Sequence, residues 1–285
     1  MIFDRNEPKE VIALLGAGSM GTAIARKLAA GRKLLLGDIS RENLERVQKD
    51  FQYSGYDVET WETDAMDQAS IQAFAQKAAS LGPVKYYIHT AGASPHQTNP
   101  EHILKLDLLG TGYAVDAFSQ VMAKGGAGLL ISSQTGYMYP IPYEVEQQIL
   151  STPTEKLLDL PFIKDVAMQN SGVAYMVAKR VNHLQAMKAA ATTWKARRAR
   201  LNTISPGVIV TPLAYDEFAA AGDSYQQMID ASAAQRTGTP EEVAEAADFL
   251  LGGHAGFITG TDLLIDGGVI AAIRTGAYQL QEHQD

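Results

Sequence analysis

Along the first half of the chain, short apolar runs alternate with longer stretches in which apolar residues recur every three or four positions. Val11 to Leu15 (VIALL) and Lys33 to Asp38 (KLLLGD) are too short for helices and suit buried strands. Between them Thr22 to Ala30 is alanine-rich and predicts a helix. The same alternation predicts a helix over Arg41 to Gln52 behind a Ser40 cap and a strand over Asp57 to Glu62. A helix over Gln68 to Ser80 and a strand over Lys85 to Thr90 follow. Pro100 to Met122 reads as one long helix, with Ile103, Leu106, Leu109, Tyr113, Ala117 and Val121 at helical spacing. Ala127 to Ser133 is a fifth strand. This order predicts a parallel sheet covered on both faces. Gly136 to Asn170 breaks the rhythm: Pro140, Pro142, Pro153 and Pro161 divide acid-rich helical pieces, too long for an ordinary connection. A helix over Ser171 to Arg197, a strand over Leu201 to Ser205 and an irregular-to-helical stretch from Pro212 to Ala234 come next. Glu241 to Leu251 is helical behind Thr239, and Thr261 to Ile265 is a seventh strand. No linker or repeat appears, so a single domain is expected over 1–285 with an insertion at 136–170.

Composition narrows the class. An apolar fraction of 46% is globular, and no run of eighteen apolar residues predicts a membrane span. The opening MIFDRNEPKE lacks the apolar core of a secretory leader, which points to a cytoplasmic protein. With no cysteine, disulfides and thiolate metal sites are excluded, and His96, His102, His183 and His254 show no metal-ligand spacing. A net charge of -8 argues against nucleic acid as a partner. The basic cluster Lys195 to Arg200 is short and suits the wet end of a helix.

Candidate chemistry begins directly after the first strand. Gly16, Gly18 and Gly21 form GxGxxG between a strand and a helix, a spacing that gives each glycine a task. Gly16 permits the tight turn, Gly18 lets backbone approach a pyrophosphate, and Gly21 lets the helix pack closely on the strand. Free N–H groups and the helix dipole then face the phosphates. Asp38, 22 residues after Gly16, ends the second strand where a carboxylate accepts from the adenosine ribose hydroxyls. That favours NAD, with NADP as the alternative because the Arg41 guanidinium lies three residues on. Tyr175 and Lys179 are four apart on one helical face. A phenol titrates at about 10; a neighbouring ammonium favours its phenolate, so the pair can exchange a proton with an alcohol oxygen. A surface pairing is the alternative account. Ser133 closes the fifth strand on the carboxyl edge, where open α/β sheets place ligands. Ser132 would point the other way by strand alternation.

These pieces occur together with Asp64, His89-Thr90-Ala91-Gly92, Asp107-Leu108-Leu109-Gly110, Ile131-Ser132-Ser133, Ser205-Pro206-Gly207, Thr211-Pro212-Leu213, Ile258-Thr259-Gly260 and Asp266-Gly267-Gly268. In that order they resemble the short-chain dehydrogenase/reductase family over nearly the whole chain. The resemblance implies a Rossmann-like, doubly wound, seven-stranded α/β fold, a nicotinamide cofactor, hydride transfer at carbon and a homotetramer, with a homodimer as the alternative. It implies Tyr175 as acid/base, Lys179 tuning the phenol and holding the nicotinamide ribose, and Ser133 positioning the substrate oxygen. Around the cofactor it implies Ser19, Met20, Asp64, Ala65, Ala91, Gly92, Pro206, Gly207, Ile209 and Thr211, with Pro206 to Thr211 passing the carboxamide. The segment from Pro212 to Gly222, with Tyr215 and Phe218, resembles the family's substrate lid.

Three features depart from that family. The usual TGxxxGxG turn is one residue shorter here, with Leu15 in place of the threonine. The asparagine of the family's catalytic tetrad aligns with Asp107, which either faces the site or caps locally. Ser133 and Tyr175 are 42 residues apart, far more than is usual, so the insertion is expected to cover the substrate side of the cleft. Tyr137, Met138 and Tyr139 either line a substrate pocket or close the insertion's own core. The reading is an NAD(P)-dependent oxidoreductase for a secondary alcohol or its ketone. The alternatives are a nicotinamide-dependent epimerase or dehydratase-like enzyme, and a non-catalytic dinucleotide sensor. One physical hint beyond likeness favours an oligomer: the two long helices carry apolar or small side chains on more faces than the sheet needs.

Overall fold

A computed structural model describes residues 8–96, 98–212, 214–215 and 223–279. Leu213, Phe218 and most of the lid-like segment lie outside the described residues. The sheet is β1 (Val11–Leu15), β2 (Lys33–Asp38), β3 (Asp57–Glu62), β4 (Val84–His89), β5 (Met122–Ile131), β6 (Arg200–Pro206) and β7 (Asp262–Ile265). All seven are parallel, in the order β3-β2-β1-β4-β5-β6-β7. Strand order reverses between β1 and β4, and such a switch point opens a crevice at the carboxyl ends of the strands.

Strand alternation explains the two covered faces. Ile12, Leu14, Leu34, Leu36, Ile88, Leu129 and Ile204 pack on α1 (Ser19–Leu28), α2 (Arg41–Tyr53) and the helix Pro240–Leu251. Val11, Ala13, Leu15, Leu35, Tyr87 and Leu130 pack on the opposite layer. That layer comprises α3 (Gln68–Leu81), α5 (Thr111–Val121) and α7 (Ser171–Ala191). Ser40 caps α2 through Asn43 N–H, and Thr239 completes a capping box with Glu242.

The expected long helix from Pro100 is three pieces: α4 (Pro100–Ile103), a π-helical turn Leu104–Gly110, and α5. Side chains of α7 meet the break: Asn182 donates to the Asp107 carbonyl at 2.7 Å and Gln185 to the Leu108 carbonyl at 2.9 Å. Gly110 is required where the turn crosses Ala65, since a Cβ there would lie 2.1 Å from the Ala65 carbonyl oxygen. Met122 belongs to β5 rather than the helix, because β5 begins at the Val84–Met122 pairing and bulges before Ala127 meets Tyr86. The second long helix stops at Ala191 and resumes over Thr193–Ala196, the Thr192 hydroxyl bonding back to Lys188.

The insertion forms α6 (Tyr143–Ser151), a 3-10 turn Thr154–Asp159 and a π turn Ile163–Ala167. Its Ile149, Leu157, Ile163 and Ala167 build a third core with Ile103, Leu104 and Leu108 and with Ala174, Val177, Ala178, Val181 and Leu184 of α7. The Arg180–Glu146 ion pair at 2.7 Å and Thr154 donating to Asp116 at 2.8 Å fasten it. Its own chain therefore covers the extra apolar faces that gave the physical hint of an oligomer. Tyr175 packs against the edge of this third core. No helix of the described residues is long and apolar enough to cross a membrane.

Candidate active site

At the switch point lies a cleft of about 550 Å³. Gly16 sits at φ +98°, and a Cβ there would meet the Ala91 nitrogen at 2.4 Å. This glycine serves the fold: it lets β1 and the end of β4 close together. Gly18 differs, since a Cβ there meets nothing within 4 Å and would project into open space. It caps α1, which starts at Ser19 inside the motif rather than after it. Gly21 packs under the turn, its missing Cβ 2.5 Å from the Gly16 carbonyl oxygen. A phosphate-sized space at a helix N-terminus fits a dinucleotide.

Gly16, Gly18, Ser19, Met20, Gly21, Asp38, Asp64, Ala65, Ala91, Gly92 and Thr211 all line this cleft. Arg41 does not. It opens α2 on the outer side, 81% exposed at the side chain, and pairs with Glu45 one turn on at 3.3 Å. Arg46 lines the cleft instead and donates to Asn43 at 2.7 Å. Pro206 is buried at the end of β6, while Gly207 and Ile209 line a separate cavity with Ile229 and Asp266. The missing Cβ of Gly207 lies 2.7 Å from the Asp266 Cα, so that glycine serves packing. Sequence reasoning also missed Ile39, whose 62% exposure beside Asp38 offers the apolar platform an adenine ring needs. Asp38 is already engaged: Oδ2 accepts from Ala17 N–H at 2.8 Å and from Asn43 at 3.2 Å, and Oδ1 from Ser40 N–H at 2.9 Å. It ties the glycine turn to the end of β2 and faces the cleft from there.

Behind the Gly92 wall lies a buried ion pair. Lys179 Nζ meets Asp107 Oδ1 at 2.6 Å, and both side chains are almost fully enclosed. Asp107 Oδ2 accepts from Ala93 N–H at 3.0 Å. A Cβ on Gly92 would sit 2.6 Å from Asp107 Oδ1 and 3.3 Å from Lys179 Nζ, so glycine is needed there. Asp107 thus faces the lysine rather than capping its own helix. Lys179 Nζ also lies 5.1 Å from the centroid of the half-buried Tyr175 ring. Burial pulls the lysine pKa down, but the charges of Asp107 and Tyr175 and the Asp107 hydrogen bond outweigh it, and the net shift is upward. Lys179 is therefore an ammonium at neutral pH. Neither Tyr175 nor Lys179 lines the nucleotide cleft itself.

Ser133 lies two residues past the end of β5 and caps the following 3-10 turn; its hydroxyl oxygen accepts from Thr135 N–H at 3.2 Å, leaving its own proton to donate. Ser132 points the other way and donates to the Lys179 carbonyl at 2.9 Å, locking the strand end to α7. Gly136 lets the following turn lie against α7, since a Cβ would be 3.1 Å from the Lys179 carbonyl carbon and the Arg180 nitrogen. Tyr139 packs on Phe162 at 6.4 Å in the insertion's core, where Tyr175 and Ala93 form the edge. Tyr137 turns elsewhere and donates to Asp262 at 2.6 Å. Tyr215 is 65% exposed.

Two buried histidines stand behind the site. His89 is held between the Tyr87 hydroxyl at 2.7 Å and Thr111 at 3.2 Å, and burial, with help from the Lys179 charge, lowers its pKa to about 3. It is a packing residue. His183 Nε2 meets Ser205 Oγ at 2.8 Å, and burial lowers its pKa to about 4. Ser205 and Asp262 beside His183 supply the residue types of an acyl-transfer triad without its geometry. Ser205 is wholly buried, and Asp262 approaches the same nitrogen that meets the serine, at 3.5 Å.

Comparison with known proteins agrees with this architecture. The family model described as short chain dehydrogenase matches residues 10–144, and that described as Enoyl-(Acyl carrier protein) reductase matches residues 152–270. The short-chain dehydrogenase/reductase bsc3 of Alternaria brassicicola is 36% identical over 92% of this chain and 96% of its own. Galactitol 2-dehydrogenase (L-tagatose-forming) of Cereibacter sphaeroides is 25% identical over 90% and 93%. A short-chain dehydrogenase/reductase structure from Serratia marcescens superposes with a TM-score of 0.72 at 22% identity, covering 93% of this chain and 98% of that one. With its seven-stranded doubly wound sheet, the chain belongs to the short-chain dehydrogenase/reductase family and is an NAD(P)-dependent oxidoreductase.

Proposed function

We propose that the chain interconverts a secondary alcohol and its ketone, with Tyr175 moving the proton. The observation that carries this reading is the buried Lys179 ammonium, 5.1 Å from the Tyr175 ring and held in place by Asp107. In the oxidation direction the alcohol carbon gives up a hydride and its oxygen a proton, and the C=O bond forms between them. The nicotinamide, when bound in the cleft, accepts or supplies that hydride. Tyr175 takes the proton as a phenolate or returns it as a phenol. Lys179 favours the phenolate and, as the family likeness implies, holds the nicotinamide ribose. Ser133 donates its free hydroxyl proton to the substrate oxygen, holding it beside the phenol. Asp107 keeps Lys179 charged in a dry site, and its own negative charge partly offsets the lysine at the phenol.

The Tyr175→Phe variant tests this. It keeps the ring and loses the transferable proton, so turnover should fall by about 10³-fold or more while cofactor Kd stays within twofold. Substantial turnover in the variant would reassign the base. Asp38 supports NAD over NADP, since its carboxylate accepts from ribose hydroxyls and repels a 2′-phosphate. Arg46, rather than Arg41, is the cation placed to oppose that preference. Calorimetric titration in which NADPH binds tenfold more tightly than NADH would reverse the assignment. A homotetramer, as the resemblance implies, would have to form through surfaces other than the faces that the insertion covers.

A further inference from the structure

We infer that Asp262 is a positioning residue for the reaction: through the Tyr137 hydroxyl it fixes the turn that carries Ser133, and so sets where the serine holds the substrate oxygen; the inference rests on the alcohol–ketone reading above. Ser133 caps the 3-10 turn Gln134–Tyr137. The backbone bonds here, Gly136 N–H to the Ser133 carbonyl and Met138 N–H to that of Thr135, are local to the turn. Its place in the molecule is therefore fixed from outside. Gly136 rests on α7, where a Cβ would meet His183 Cε1 at 2.9 Å. Among the described residues, Tyr137 alone of the turn's side chains bonds to the sheet, donating to Asp262 Oδ2 at 2.6 Å. That length belongs to a charge-assisted O–H bond, roughly twice as strong as a neutral one.

Asp262 opens β7 with its side chain 8% exposed, and among the described residues no lysine or arginine pairs with it. A buried carboxylate is costly unless hydrogen bonds satisfy it. Hydroxyls supply them here. Thr203 and Ser205 of β6 both donate to Oδ1, the serine at 2.9 Å, while Oδ2 takes Tyr137. A carboxylate only accepts, so the sense of every bond around it is set. Ser205 donates to Asp262 and therefore accepts from His183 Nε2–H, at 2.8 Å. That leaves His183 Nδ1 as an acceptor, facing the Arg180 guanidinium at 3.5 Å. Arg180 follows Lys179 on α7, and His183 lies one turn beyond it. The carboxylate thus joins the turn that carries Ser133 to the helix that carries Tyr175 and Lys179. Packing alone does not ask for the phenolic hydroxyl, since the Tyr137 ring already lies 5.2 Å from that of His183 and 5.3 Å from Arg274 Cζ. What the hydroxyl adds is a fixed length between turn and sheet. A misplacement of about 1 Å at a reacting group costs on the order of 100-fold in rate, so such a strut bears on turnover.

Tyr137→Phe removes the hydroxyl and keeps the ring contacts, and it is assayed with cyclohexanol and 2-butanol in wild-type and Ser133→Ala backgrounds. Nicotinamide absorbance reports turnover, and hydrogen exchange at the Gly136 and Met138 amides reports the turn. In the wild-type background kcat should fall about tenfold or more, with KM and cofactor Kd within about twofold. In the Ser133→Ala background the same substitution should cost no further turnover, because the group it positions is gone. Asp262→Asn should keep kcat within about threefold, since its oxygen still accepts from β6 and its amide donates to the Tyr137 oxygen, while Asp262→Ala should lose as much as Tyr137→Phe. An unchanged kcat in Tyr137→Phe, or an equal loss in both backgrounds, overturns the inference and leaves the alcohol–ketone reading standing. If wild type turns over neither alcohol, that reading falls and the exchange decides. Faster exchange at the two amides in Tyr137→Phe then upholds the strut, and unchanged exchange overturns it as well.

Discussion

The nucleotide cleft and the catalytic side meet at Gly92 but are made of different material. The cleft is backbone: glycines without side chains, N–H groups at the start of α1, and strand ends at a switch point. The catalytic side is side chains on one helix. One face of α7 presents Lys179 and Asn182 to the π turn at Asp107, with the Tyr175 ring beside Lys179, and the other packs Ala174, Val177, Val181 and Leu184 under the insertion. A backbone site depends on local spacing. A side-chain site depends on every element that fixes the helix carrying it.

The comparison is broken most strongly at Gly18. Valine there fits the observed φ of -79° and its Cβ meets no protein atom within 4 Å, so the side chain enters the space before the helix N-terminus. Gly18→Val should weaken cofactor binding on the order of 10³-fold, ~4 kcal/mol, with the melting temperature nearly unchanged. If binding survives, the phosphates lie elsewhere. The converse perturbation is in the insertion. Leu157 is 3% exposed between the insertion and the two helices, and Leu157→Ala should cost about 2–3 kcal/mol of stability. In calorimetry the folded variant should retain wild-type cofactor affinity; a parallel loss of affinity would show that the two regions are not separable.

Acid should reach the catalytic side first. His89 and His183 have folded pKa values lowered to about 3 and about 4 against 6.5 for the free side chain, because burial disfavours the imidazolium. The unfolded chain therefore binds more protons between pH 6.5 and those values, and stability falls as pH falls through that window. Roughly 1–2 kcal/mol each should be lost by pH 5. Urea midpoints that stay flat from pH 7 to pH 5 would contradict this, and His89→Gln should remove about half of the slope.

The same contrast governs what the sequence makes legible. Gly16, Gly18, Gly21 and Asp38 follow from spacing alone, since strand, turn and helix are contiguous. All seven strands and the helices flanking them follow from periodicity. Arg46 escaped because neither pattern nor motif says which face of α2 meets the cleft, and the nearer Arg41 looked equivalent. The π turn is not legible because the side chains that bond its carbonyls, Asn182 and Gln185, lie more than seventy residues downstream. The apolar excess on the long helices is visible in the sequence, but nothing there says that residues 143–167 of the same chain cover part of it. Pairing of that kind leaves no periodic mark.

The proposal that Asp107 and Lys179 act on Tyr175 as one buried charge pair rests on their 2.6 Å contact beside the ring. The pH dependence of kcat/KM for wild type and Asp107→Asn, measured in the oxidation direction, tests it most directly. Removing the carboxylate leaves the lysine charge less offset, which favours the phenolate, and asparagine can still accept from Ala93 N–H. The variant's rising, acid-side limb should move to lower pH by about one unit, ~1.4 kcal/mol of differential interaction. Superimposable profiles, or a shift to higher pH, would contradict it.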